Sequence, residues 1–132
     1  MTTVTIRGAL LASGLALFMC GCSKSETAPT PPSQPSDPAL TITLSRTGAS
    51  PRNLTVPRGS QITFVNNDTV THQMYSDPHP EHTDCPEFDS VGQLAPGQTR
   101  RTTNLVTART CLFHDHIDFS NNTLKGSIVI QP

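Results

Sequence analysis

Asn53-Leu54-Thr55-Val56-Pro57-Arg58-Gly59-Ser60-Gln61-Ile62-Thr63-Phe64-Val65-Asn66-Asn67-Asp68-Thr69-Val70-Thr71-His72 alternates short apolar runs with turn residues and shows no helical period. Residues 53–56 read as a short strand stopped by Pro57-Arg58-Gly59. Residues 60–66 alternate again, with Ile62 and Phe64 on one face. Asn66-Asn67-Asp68 has turn chemistry. Residues 69–75 follow as a strand whose period of two places Val70, His72 and Met74 on one side and Thr71, Gln73 and Tyr75 on the other. The stretch therefore reads as strand, turn, strand, and its last strand presents an imidazole and a thioether to the same side.

The flanking sequence has the same character. Leu40, Ile42 and Leu44 alternate with Thr41, Thr43 and Ser45, as in a half-buried strand. Residues 48–51 read as a turn, and residues 76–87, broken by proline and lacking alternation, as an ordered loop. Ala95-Pro96-Gly97-Gln98 suits a type II turn. Residues 99–106 and 108–113 are strand-like, 115–123 form a polar loop, and 124–130 close the chain as a strand with Ile128 and Ile130 on one face. The spacing predicts an all-β domain, an antiparallel Greek-key sandwich or barrel of seven to eight strands.

The chain has 132 residues and a formal charge of −1, which allows one small domain. Residues 1–22 read as a leader: Arg7, an apolar run from Gly8 to Met19 too short to span a bilayer, then Cys20-Gly21-Cys22. The pattern resembles a bacterial lipoprotein signal, which implies lipidation of Cys22, export, and a membrane anchor facing the periplasm or the cell exterior. Cys20 is the alternative acceptor, and a plain secretory signal or an uncleaved anchor is the alternative reading. Residues 23–38 hold five prolines among Ser, Thr and Gln and read as an extended linker, reaching up to roughly 50 Å. The folded domain is then 39–132. The small net charge gives no reason to expect nucleic acid. Between Gly59 and Thr99 there is no Lys or Arg, whereas Asp68, Asp77, Glu81, Asp84, Glu87 and Asp89 all fall there. That balance attracts cations and suits a basic protein partner.

All five histidines and both cysteines outside the leader lie in two segments. One carries His72, Met74, His79, His82 and Cys85; the other is Cys111-Leu112-Phe113-His114-Asp115-His116. Thiol, thioether and imidazole together form the ligand set of copper, and secondarily of zinc. Asp77, Asp84 and Asp115 are placed to orient imidazoles from behind. No nucleophile–base order, glycine-rich phosphate loop or paired-carboxylate signature accompanies them, and an enzymatic role is not indicated.

Four pieces in order resemble the cupredoxins, the plastocyanin-like copper proteins. They are the stretch from Asn53 to His72, the turn Leu94-Ala95-Pro96-Gly97-Gln98-Thr99, the loop Cys111-Leu112-Phe113-His114, and the final Leu124-Lys125-Gly126-Ser127-Ile128-Val129-Ile130. The resemblance spans about residues 40–130 and implies copper held by His72, Cys111 and His114, with one-electron transfer to a redox partner. The family's axial methionine has no counterpart here, since its place falls on Ile117, Phe119 or Leu124. Met74 is the nearby thioether, and His116 is an alternative to His114; were the strand to continue, a period of two would set both histidines on one side.

Cys85 opens a second reading. In an oxidising compartment it would pair with Cys111. Copper would then face His72, His114 and His116 with some of His79, His82 and Met74, a histidine site suited to copper handling or tolerance and to a copper-exchange partner.

Overall fold

In the computed structural model, residues 37–132 are described; the leader and the linker up to residue 36 lie outside the described residues. Asp37 opens the fold. Its carboxylate accepts the Ala39 amide at 2.9 Å and caps a single 3-10 turn, Pro38–Leu40.

Nine strands follow: β1 (Thr41–Ser45), β2 (Gly48–Ser50), β3 (Asn53–Val56), β4 (Thr63–Asn66), β5 (His72–Ser76), β6 (Gly92–Leu94), β7 (Thr99–Arg101), β8 (Arg109–Asp115) and β9 (Gly126–Ile130). They form two sheets, ordered β2-β1-β4-β7 and β3-β9-β8-β5-β6. The fold is an all-β sandwich, with only single 3-10 turns beside the strands among the described residues. Two pairings, β1 with β4 and β3 with β9, are parallel, and the rest are antiparallel. Among the described residues no helix is long and apolar enough to cross a membrane.

The alternation in the sequence becomes the core. Ile42, Leu44, Val56, Ile62, Phe64, Met74 and Ile128 are wholly buried. Phe64 meets Phe113 edge-on, with centroids 5.6 Å apart, and meets Phe88 at 5.9 Å. Such pairs add about 0.5–1.5 kcal/mol each beyond the area they bury. The turn after β4 is organised by Asn66, also wholly buried. Its Nδ2 donates to the Val70 and Leu94 carbonyls at 2.8 and 2.9 Å, and its Oδ1 accepts the Asp68 amide at 2.8 Å. Asn66 thereby sets where β5 begins. The turn at Ala95 closes as expected, with the Gln98 amide on the Ala95 carbonyl at 3.0 Å and Gly97 at φ 77°.

Three local readings change. Residues 48–50 are a strand rather than a turn. Gly48 enters it at φ 115°, where a Cβ would collide with Thr123. Regular pairing in residues 99–106 ends at Arg101, after which the Thr102 amide and hydroxyl hold the Ile62 backbone instead. Val70 lies ahead of β5 and is 54% exposed, so it does not share the buried face of His72 and Met74.

Candidate metal centre

The site is decided by the face on which each side chain of β5 and β8 emerges. On β5, His72, Met74 and Ser76 point inward and are buried, while Gln73 and Tyr75 point outward. β8 pairs with it antiparallel, in the register Met74 with Asp115, Tyr75 with His114 and Ser76 with Phe113. Directly opposed residues share a face. Cys111, Phe113 and Asp115 therefore point inward, and Leu112 and His114 outward. β8 runs on through Asp115, past the end of the strand expected from the sequence.

This parity separates the residues that the cupredoxin resemblance had grouped. Inside, the residue that meets His72 is Asp115: His72 Nδ1 donates to Asp115 Oδ2 at 2.7 Å. Asp115 Oδ1 accepts the amides of Gln73 at 2.9 Å and Ile117 at 3.1 Å. His72 Nε2 lies 3.5 Å from Asp68 Oδ2 and, like that of His114, is buried without a hydrogen-bond partner. Cys111 is bonded to Cys85, with Cα atoms 5.8 Å apart and both residues wholly buried, so neither presents a thiolate. Met74 is part of the apolar core. The set His72, Cys111 and His114 thus does not converge, because His114 leaves the sheet on the opposite face.

On that outer face the loop between Ser76 and Cys85 folds back over β8. The Asp77 amide donates to the Leu112 carbonyl at 3.1 Å, and the Asp84 amide to the Asp77 carbonyl at 2.9 Å. The disulfide pins the far end. Ser76 Oγ accepts the Cys85 amide at 3.2 Å and donates to the His82 carbonyl at 3.1 Å. His82 sits at φ 55°, the left-handed region that side chains seldom adopt. The result is a group of four imidazoles, His79, His82, His114 and His116, each offering a nitrogen within 4.8 Å of the others. His114 is buried at the floor, His82 and His116 are half-buried, and His79 is exposed. Tyr75 stacks on His82 at 4.4 Å, and Phe119 stacks on His79 at 4.2 Å.

Hydrogen bonding orients the group for a cation. His114 Nδ1 donates to Asp77 Oδ1 at 2.5 Å, while its Nε2 is buried with no partner. A buried nitrogen left unpaired is costly unless something else satisfies it. A carboxylate behind one ring nitrogen, with the other nitrogen free, is how metal-binding imidazoles are commonly held. His116 Nδ1 and His82 Nε2 face each other at 3.2 Å, so they share either one proton or one cation. Burial lowers the His82 pKa, and the neighbouring imidazoles of His114, His116 and His79 lower it further. Burial also lowers that of His114, against the opposing pull of Asp77. Both rings are thus neutral at pH 7, the form that ligates metals.

Of the expected second-layer carboxylates, Asp77 orients His114 and Asp115 orients His72. Tyr75 and Ser76 were not singled out as site residues from the sequence, and the register of β5 against β8 places them; Phe119, in the turn after β8, enters through its ring contacts with His79 and His114.

No family model matches this sequence, and no curated protein matches it. Solved structures do match. A purple cupredoxin from Nitrosopumilus maritimus is 15% identical, with a TM-score of 0.55 over 70% of this chain and 99% of that one. An amicyanin variant in the Cu(I) state is 15% identical, with a TM-score of 0.55 over 74% and 87%. An oxidised amicyanin variant is 14% identical, with a TM-score of 0.56 over the same shares. The chain has a cupredoxin-like fold.

Proposed function

We propose that this is an exported copper-binding protein that holds copper at His79, His82, His114 and His116 and serves copper handling. The observation that carries this reading is the unpartnered, buried Nε2 of His114 at the floor of a four-imidazole group, with Asp77 fixed behind it. Four imidazole donors suit copper above other divalent first-row ions, zinc included. Bound there, copper would supply an exchangeable cation centre that changes oxidation state. The chain's own part is to hold the nitrogens. β8 presents His114 and the bend just after it His116, the disulfide and Ser76 hold His82, and Asp77 keeps the His114 tautomer in which Nε2 is free.

Export is supported by the closed disulfide, which persists in oxidising compartments, and by the leader, where lipidation of Cys22 remains part of the proposal. The run without Lys or Arg from Gly59 to Thr99, which contains His79 and His82, supports exchange with a partner whose surface is basic.

One-electron transfer is the competing reading, and it rests on the likeness to copper-containing cupredoxins. A thiolate site would need a free Cys111 on the same side as His114. Titrating residues 23–132 with Cu(II) separates the two. The handling reading expects one copper per chain, nitrogen hyperfine structure in the electron paramagnetic resonance spectrum, no intense red thiolate band, and no free thiol after denaturation. An intense band together with two free thiols would overturn it in favour of the carrier.

A further inference from the structure

We propose that the metal ion reaches and leaves the four-histidine centre through one groove, lined by Gln73, Tyr75, Glu81, His82, Asp89 and His116, with Glu81 and Asp89 drawing the hydrated cation in. The proposal rests on the four-histidine reading above and adds the direction of exchange. The groove offers about 490 Å³ of open space and contains two of the four ligand residues, His82 and His116. Their facing nitrogens, 3.2 Å apart, are the first imidazole donors that an ion in the groove would meet. Its only acidic side chains are the two carboxylates of Glu81 and Asp89, both exposed, and it has no Lys or Arg.

The side of the centre at His79 is partly covered by Phe119 and carries a positive charge. The Phe119 ring stacks on His79 at 4.2 Å and lies edge-on to His114 at 5.0 Å. Lys125 Nζ sits 3.9 Å over that same ring. An incoming cation would therefore find an apolar ring backed by an ammonium at His79, and an open, carboxylate-lined groove at His82 and His116. Charges of one sign along a cleft focus the field and raise association rates, and salt screens the effect.

Tyr75 supplies the readout. It is the protein's one tyrosine, there is no tryptophan, and its ring stacks on His82, so copper arriving at His82 quenches the only strong intrinsic fluorophore. Stopped-flow mixing of the full chain with aqueous Cu(II) would be run on wild type, Glu81→Gln/Asp89→Asn and Asp118→Asn, the last a carboxylate beside Phe119. At low ionic strength the double variant should associate about tenfold more slowly, and the gap should shrink to under about twofold near 1 M salt. Asp118→Asn should stay within about twofold of wild type. Glu81→Gln alone, a single exposed change, should give an intermediate slowing. Equal slowing by Asp118→Asn, or unchanged rates in the double variant with copper still bound, would overturn the route and leave the site intact. If wild type binds no copper at equilibrium dialysis, the four-histidine reading fails and the route fails with it.

Discussion

Replacing Cys85 and Cys111 together by alanine tests whether the loop over β8 is held by its covalent tie. The bridge joins residues 26 apart in sequence. Releasing that constraint in the unfolded chain destabilises the fold by about 3.5 kcal/mol on the loop-closure estimate. Both residues are wholly buried against the core, and losing two sulfur atoms there adds about 1 kcal/mol of packing loss. For a domain of roughly 100 residues, each kcal/mol moves the melting temperature by about 4–8 °C, so a fall of about 20–30 °C is expected. The assay is urea unfolding of the metal-free domain, paired with amide hydrogen exchange. Exchange adds a local signature. The His82, Asp84 and Cys85 amides are bonded only to Pro78, Asp77 and Ser76 in and beside the loop, so they should lose more protection than the β8–β9 ladder. A loss of stability below about 1 kcal/mol, or protection lost evenly across β9 and the loop, would refute the claim that the bridge organises the loop.

Three further outcomes follow from the same geometry. Asp77→Asn keeps an acceptor behind His114 but removes its charge; copper affinity should fall about 10–100-fold in chelator competition while the metal-free melting temperature moves little, and an affinity within twofold of wild type would count against the role of Asp77. His72→Ala leaves the buried Asp115 Oδ2 without its donor, so the fold should lose about 1–3 kcal/mol in urea titration while copper affinity at the outer-face group holds; a selective loss of affinity would return His72 to the ligand set. The lowered pKa values of His82 and His114 fix the sign of the pH dependence. Below the ordinary value of 6.5 the unfolded chain takes up protons that the folded one refuses, so metal-free stability, fully present above that value, is lost as pH falls from it through the lowered folded values. A urea midpoint that rises between pH 7 and pH 5 would contradict that sign.

Much of the sandwich is legible in the chain because it depends on a period of two. Ile42 with Leu44, Ile62 with Phe64, and Ile128 with Ile130 alternate with polar neighbours, and each pair is buried as the alternation requires. The same rule set His72 and Met74 on one face of β5. β6 escapes such reading, since three residues, Gly92, Gln93 and Leu94, are too short to show a period. The site was harder for a specific reason. Reading β8 as ending at Phe113 frees His114 to turn toward His72, whereas two more residues of strand commit it to the other face. Nothing local marks that extension: Asp115 is a poor strand former, and it is retained because His72, Gln73 and Ile117 all bond its carboxylate across 43, 42 and 2 residues. The strand stops at Asp115, one residue short of His116, so His116 reaches the group from a bend rather than by the period of a strand.

The same parity accounts for how a cupredoxin-like sandwich comes to carry its imidazoles on an outer face. An inward site would need ligands from the sheet interior, and there His72 offers only Nε2, beside Asp68, its Nδ1 being held by Asp115, while Cys111 is spent on Cys85. The outer face of β8 and the bend after it supply only His114 and His116, too few to enclose an ion, so the remaining donors must come from a loop that has no hydrophobic reason to lie there. Between Asp77 and Asp84 the chain offers no large apolar side chain to the core; what holds it down is the bridge at one end, Ser76 beneath it, and the Asp77–His114 bond. The inward-facing cysteine and the outward-facing histidine, three residues apart on one strand, are therefore complementary parts of one device. The first fixes the loop, and the second receives the imidazoles the loop delivers, so separating them by one residue of register would abolish both.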